Sequence, residues 1–138
     1  MSKAVIGTHC ILELAGCPFE LLDDEAVVRA AIEQASGKAK ATLLTLSSHK
    51  FEPQGVTALG LLAESHISIH TWPEQGYAAV DIFTCGDSAE PREACDFLAR
   101  YFKAQAKSLA KLPRGSRLAT PLVKPAFCGK VQDCPTMA

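Results

Sequence analysis

Apolar and polar positions alternate along much of the chain, and turn-forming residues separate the alternating stretches. The pattern predicts that a first strand ends over residues 9–14. It predicts further strands at 41–48, 56–63, 67–72 and 77–85. Helical spacing begins after Asp23 and Asp24, which can cap a helix, and is expected to end at Gly37. The predicted order is therefore strand, helix, four strands and a second helix.

The second helix is predicted to be long. It follows Pro91, and its apolar side comprises Ala94, Leu98, Tyr101, Phe102 and Leu109. From Pro113 onward, proline and glycine interrupt the chain, with a short strand expected only near 118–123.

This order predicts one α+β domain over residues 1–138, a two-layer sandwich whose two helices cover one face of a mainly antiparallel sheet. The other face is also apolar, since alternation places Leu59, Leu61, Ala79 and Phe83 on it. Because an exposed apolar face of this size usually marks an interface, we expect a homodimer that packs sheet against sheet.

Composition narrows the class of protein. Of 138 residues, 48% are hydrophobic and 21% charged, which excludes a disordered chain. The net charge of −1 argues against a nucleic-acid partner, and the apolar stretch 55–63 is too short to span a membrane. Six cysteines without a C-x-x-C pair, after an N-terminus unlike a signal peptide, predict reduced and mostly buried thiols in the cytoplasm.

Most of the candidate chemistry lies in one hairpin. In the window 64–74, His66, Ser68 and His70 share a strand face, and in the next strand Asp81 and Cys85 share a face. Two residue-based interpretations stay open. One is a zinc site formed by His66, His70, Glu74 and Cys85, although no recognised ligand spacing supports a metal. The other is a nucleophilic pair of Cys85 with His70.

A third interpretation comes from resemblance. The segment ESHISIHTWPE (64–74), followed by GYAAVDIFTCG (76–86), closely resembles the short prokaryotic S-adenosylmethionine decarboxylase proenzymes. The similarity extends more loosely from about residue 9 to the second predicted helix. It implies self-cleavage between Glu64 and Ser65, giving a β chain 1–64 and an α chain 65–138. Ser65 would become an N-terminal pyruvoyl group, the cofactor that forms a Schiff base with the substrate.

The resemblance also implies roles for single residues. His70 matches the processing base and Cys85 the proton donor, while Phe51 matches an adenine-stacking aromatic and Glu74 a carboxylate that binds ribose. The implied reaction is decarboxylation of S-adenosylmethionine, which would supply the aminopropyl donor for spermidine synthesis. The alternatives are the same machinery acting on ornithine or arginine, and an uncleaved regulatory subunit.

The spacing of Ser65 and His70 raises a geometric question. Five residues apart on a flat strand, they would face opposite ways. Either the chain turns or bulges near 64–66, or His70 acts through a partner subunit.

Overall fold

The computed structural model describes residues 5–86 and 89–115, and these form one antiparallel sheet with helices on one face. The strands are β1 (Gly7–Ala15), β2 (Leu43–Lys50), β3 (Val56–Leu62), β4 (Ser65–Trp72), β5 (Tyr77–Cys85) and β6 (Ala106–Arg114). The helices are α1 (Phe19–Leu22), α2 (Glu25–Lys38) and α3 (Pro91–Tyr101), and a 3₁₀ turn spans Pro73–Gln75. The strand order is β2-β3-β4-β5-β1-β6. The predicted α+β sandwich is thus confirmed.

Helix α2 begins where the sequence predicts. The Asp24 carboxylate accepts hydrogen bonds from the amides of Ala26 at 3.0 Å and Val27 at 3.2 Å, which satisfies two donors of the first turn. The helix passes Gly37 and ends at Lys38, one residue later than expected. It packs closely on β3, because a Cβ at Gly60 would lie only 2.7 Å from a methyl carbon of Ile32.

The core lies between the helices and the inner face of the sheet. Its largest fully buried apolar side chains come from the strands, from the three helices and from Phe102 just after α3, and they include Leu12, Leu22, Ile32, Ile69 and Leu98. Burying a leucine, isoleucine or phenylalanine contributes roughly 1.5–3 kcal/mol each, so this layer fixes the sheet that carries the polar outer face.

The prediction of a helix reaching Leu109 is wrong. Helix α3 ends at Tyr101, the backbone turns through Lys103 at a φ of 51°, and residues 106–114 form β6. The apolar position of Leu109 fits helical spacing, but Leu109 packs against the core from strand β6 instead. Pairing with β1 supplies β6 with backbone hydrogen bonds along its whole length. The strand expected near 118–123 lies outside the described residues.

The sheet's other face carries no helix within 5–86 and 89–115, and we call it the open face. Leu59 and Leu61 of β3 are 49% and 53% exposed on it, as alternation predicted. Ala79 and Phe83 of β5 share this face and are partly buried. The open face is apolar along β3 and polar along β4. It therefore combines an apolar surface that could pack against a partner with the polar side chains of the candidate site.

Three cysteines belong to the core, as predicted. Cys10, Cys17 and Cys95 are buried free thiols, and burial raises the pKa of Cys17 to about 11. Cys128 and Cys134 lie outside the described residues. No helix in the described part of the chain is long and apolar enough to cross a bilayer.

Candidate active site

Glu64 and Ser65 lie at the tight turn between β3 and β4. The turn is anchored to the start of β2, where the Thr42 amide donates to the Glu64 carboxylate at 2.8 Å and the Thr42 carbonyl accepts from the Ala63 amide at 2.9 Å. Ser65 follows with a φ of 155°, a backbone conformation that residues other than glycine rarely adopt. The departure from a flat strand expected at 64–66 is therefore present.

Cys85, at the end of β5, holds the carbonyl of the Glu64–Ser65 peptide. Its backbone amide donates to the Glu64 oxygen at 3.1 Å, and its thiol donates to the same oxygen at 3.0 Å. Two convergent donors on one carbonyl oxygen are the arrangement that stabilises negative charge when a nucleophile attacks the carbon. The resemblance implies cleavage of the Glu64–Ser65 peptide and a proton-donor role for Cys85. In the structure, Cys85 is the residue that polarises the carbonyl of this peptide.

A chain of polar side chains leads away from Ser65 across the open face. Ser65 Oγ lies 3.4 Å from His66 Nδ1, and His66 Nε2 lies 2.9 Å from Asp81 Oδ2. The same carboxylate oxygen lies 2.8 Å from His9 Nε2, and the Ser68 hydroxyl donates to Oδ1. Asp81 therefore links two histidines from different strands.

The charge on Asp81 is stabilised by its neighbours. Burial raises its pKa, but hydrogen bonds from Ser68, His66 and His9 outweigh burial and hold the pKa below its usual value. Asp81 is therefore an acceptor-only carboxylate at neutral pH, and each histidine nitrogen that contacts it must donate.

The His9, His66 and Asp81 ligand atoms lie within 4.8 Å of one another, close enough for a metal ion. However, Arg114 donates to His9 Nδ1 at 3.0 Å, and a guanidinium can only donate. The His9 proton must then sit on Nε2, where it points at Asp81 and blocks metal ligation. These residues fit a hydrogen-bond relay better than a metal centre.

A second group of predicted site residues lines a cavity of about 380 Å³ at the other end of β4. The lining residues are Phe51, Gln54, Gly55, Thr57, His70, Thr71, Trp72 and Glu74. His70 Nδ1 contacts the Thr57 hydroxyl at 3.0 Å, across the β3–β4 ladder. The structure thus brings Phe51, His70 and Glu74 together.

The loop that carries Phe51 is fixed from the helix side. Asp23 accepts from the Gly55 amide at 2.9 Å and pairs with Lys50 at 3.1 Å. The Gly55 hydrogen bond and Lys50 hold the pKa of Asp23 below its usual value. Phe51 remains 46% exposed, so its ring face is available at the mouth of the cavity.

The two groups are far apart within one chain. We call Glu64, Ser65, His66, Asp81 and Cys85 the cleavage cluster, and Phe51, Thr57, His70 and Glu74 the cavity cluster. Five residues of strand separate Ser65 from His70, about 16 Å at the usual rise.

This separation excludes both residue-based interpretations within one chain. A zinc site built from both ends of β4, with His66 and Cys85 at one end and His70 and Glu74 at the other, is wrong within one chain. A Cys85–His70 pair within one chain is wrong for the same reason, because His70 pairs with Ala79, six residues before Cys85 on β5.

Sequence reasoning gave His66 no role in the self-cleavage chemistry and missed two members of the relay, His9 and Arg114. They come from β1 and β6, which flank each other only in the folded sheet. The one local signal was alternation, which places His66 and Ser68 on one face of β4 and Asp81 on the neighbouring strand beside them.

Comparison with known proteins identifies the family of this chain. Residues 8–115 match the S-adenosylmethionine decarboxylase family. An S-adenosylmethionine decarboxylase proenzyme of Prochlorococcus marinus (strain MIT 9211) is 59% identical over 110 residues, covering 80% of this chain and 90% of that protein. One from Methanococcus aeolicus is 47% identical over 111 residues, covering 80% and 95%.

A solved structure has a similar fold. The crystal structure of the adenosylmethionine decarboxylase from Aquifex aeolicus VF5 superposes with a TM-score of 0.78 at 34% identity, covering 83% of this chain and 95% of that one. With a family match over most of the chain and relatives well above 30% identity, this chain belongs to the S-adenosylmethionine decarboxylase family.

Proposed function

We propose that the chain is a proenzyme that cuts itself between Glu64 and Ser65 and then decarboxylates S-adenosylmethionine. The observation that carries the proposal is the Glu64 carbonyl, held by the amide and thiol of Cys85 beside the Ser65 hydroxyl. The products would be a β chain 1–64 and an α chain 65–138, which act together as one domain. The decarboxylated product would serve as the aminopropyl donor for spermidine synthesis, in the cytoplasm where Cys85 stays reduced.

The cleavage needs only groups that the chain itself supplies. Ser65 Oγ bonds to the Glu64 carbonyl carbon, the peptide C–N bond breaks, and an ester with a free Ser65 amine results. A base then removes the Ser65 Cα proton, and the Glu64 carboxylate leaves with the electrons of the Cβ–Oγ bond. Addition of water and loss of ammonia leave a pyruvoyl group at residue 65.

The residues around Ser65 fit the formation of this group, since a hydroxyl, a polarised carbonyl and a strained backbone coincide there. When present, the pyruvoyl group supplies the electron sink that decarboxylation needs. Cys85 lies beside residue 65, so its thiol is placed to donate a proton to the substrate carbon that loses CO₂.

Substrate recognition is assigned to the cavity cluster. An aromatic face such as Phe51 suits adenine stacking and the sulfonium charge, and the Glu74 carboxylate can accept hydrogen bonds from two ribose hydroxyls. The cavity of about 380 Å³ falls within the size range of small-molecule sites.

A working site would combine the two clusters from two copies of the chain. Both clusters lie on the open face, at opposite ends of β4, with exposed Leu59 and Leu61 on neighbouring β3. A two-fold axis through the middle of β4 would set the Ser65 end of one copy against the His70 end of the other. The proposed assembly is therefore a homodimer packed through the open faces, with each site shared.

Mixed dimers test this sharing. Co-expressed Ser65→Ala and His70→Ala chains should regain self-cleavage of the His70→Ala chain, because each mixed dimer contains one site with both Ser65 and His70. Turnover should reach about one quarter of wild type under random pairing. Gel analysis of tagged chains and a CO₂-release assay measure both.

The matched control joins Ser65→Ala with Cys85→Ala, which both alter the cleavage cluster. This pair should not regain turnover, because no site in the mixed dimer has both groups. Equal recovery in the two mixtures, or none in the first, would contradict a site shared between subunits.

Substrate choice is tested on the cavity cluster. Phe51→Ala should lower kcat/KM for S-adenosylmethionine roughly 5- to 150-fold, the loss expected for one base–aromatic stack. Glu74→Gln should also lower it, whereas both variants should still cut themselves. Glu33→Gln, an exposed carboxyl on α2, is the control and should match wild type.

The alternatives give different results in the same assays. Ornithine or arginine releasing CO₂ with a higher kcat/KM than S-adenosylmethionine would assign the machinery to another amino acid. A purified chain that stays intact would favour an uncleaved regulatory subunit.

A further inference from the structure

We propose that His66, positioned by Asp81, is the base that takes the Ser65 hydroxyl proton and so starts self-cleavage. This rests on the proposed function and assigns its first step to a residue other than His70. His66 Nδ1 is 3.4 Å from Ser65 Oγ, and catalytic hydrogen bonds are often this long before the reacting geometry is reached.

The relay fixes which nitrogen of His66 is free to accept the proton. Asp81 accepts at Oδ2 from His66 Nε2 at 2.9 Å, so the proton of neutral His66 sits on Nε2 and Nδ1 is left unprotonated toward Ser65. His9 Nε2 donates to the same carboxylate oxygen at 2.8 Å, and Arg114 donates to the other ring nitrogen of His9, Nδ1. Asp81 is therefore fixed from two sides and is the positioning residue of the relay.

Ser65, His66 and Asp81 are arranged like a catalytic triad, in which an aspartate orients the histidine that activates a serine nucleophile. Here the attacked carbonyl belongs to the neighbouring residue of the same chain. The two donors from Cys85 already point at that carbonyl oxygen, on which negative charge develops. Nucleophile, base, orienting carboxylate and oxyanion donors thus lie together without any residue of the cavity cluster.

The step balances within the chain. The Ser65 Oγ–H proton passes to His66 Nδ1 as the Oγ bond to the Glu64 carbon forms, and the carbonyl π electrons move to the oxygen held by Cys85. When the C–N bond breaks, His66 returns the proton to the departing Ser65 nitrogen. The net change is isomerisation of an amide to an ester.

Two histidines would then serve two successive steps. His66 acts in ester formation, and His70, contributed by the partner copy, acts in the later elimination. Removing each should therefore stop the precursor at a different stage, and the two stalled precursors differ chemically because only one contains an ester.

The experiment compares purified His66→Gln and His70→Ala precursors with and without hydroxylamine, which cleaves esters but not ordinary amides. Glutamine can still donate to Asp81 from the Nε2 position but offers no base to Ser65. We expect His66→Gln to cut itself at least about 100-fold more slowly than wild type and to resist hydroxylamine. His70→Ala should release a fragment that begins with an unmodified Ser65.

Two further variants separate base chemistry from folding. Added imidazole should restore cleavage of His66→Ala, and Asp81→Asn should slow cleavage of the wild-type chain yet add nothing in the His66→Gln background. His49→Gln, which removes an exposed histidine on β2, should cleave normally.

Cleavage of His66→Gln at the wild-type rate, or its release by hydroxylamine, would overturn the role of His66. So would a lack of imidazole rescue. These results would leave the proposed function standing, because wild type would still cut itself. An intact wild-type precursor would instead remove the proposed function.

Discussion

Replacing Ser65 with alanine is expected to leave the 138-residue chain uncut and without decarboxylase activity. No hydroxyl would remain to attack the Glu64 carbonyl, and no pyruvoyl group could form at residue 65. Intact mass spectrometry should find one chain for the variant and two fragments for wild type. The larger wild-type fragment should be blocked to Edman sequencing by its terminal ketone.

The matched control is Ser47→Ala, which removes an exposed hydroxyl on β2 outside both clusters. It should cut itself and turn over like wild type. If Ser65→Ala were also cut between 64 and 65, a contaminating protease would explain the cleavage, and self-processing would lose its main support.

Two substitutions at Cys85 should separate cleavage from turnover. Cys85→Ala removes one of the two donors on the Glu64 oxygen, and loss of an oxyanion donor costs about 10²–10³ in rate, so cleavage should slow. Cys85→Ser keeps a donor and should cut faster than Cys85→Ala. Fully processed Cys85→Ser should still lose about 10²–10⁴ in turnover, because a hydroxyl is a far weaker acid than a thiol.

Cleavage is followed by gel over time, and turnover is measured only on protein whose processing is complete by mass. An unchanged kcat in fully processed Cys85→Ala would remove Cys85 from the decarboxylation. Equal cleavage rates for the alanine and serine variants would show that the Cys85 backbone amide alone suffices.

The sequence predicted the central hairpin well because the signals there are local. Alternation along 67–72 and 77–85, with a turn between them, sets both the pairing and the outer face. The five-residue spacing of Ser65 and His70 predicted either a kink near 64–66 or a His70 that acts through a partner subunit, and the backbone departs from a flat strand at Ser65. The position of Cys85 against Glu64 follows from this register.

The rest depended on long-range pairing. Nothing local indicates that residues 106–114 return to pair with β1, and their apolar positions also fit the end of a helix. Missing β6 meant missing Arg114, and with it the reason why His9 donates to Asp81. The sequence shows that Ser65 and His70 are five residues apart. Only the structure shows that β4 is one extended strand that keeps them at opposite ends.

The strand order has a consequence for what a cut between Glu64 and Ser65 would leave behind. Residues before the cut supply β1, β2 and β3, and residues after it supply β4, β5 and β6. In the sheet these fragments interleave, with β1 of the first inserted between β5 and β6 of the second. The nicked protein would therefore behave as a non-covalent heterodimer, tied by three ladders and separable only by unfolding.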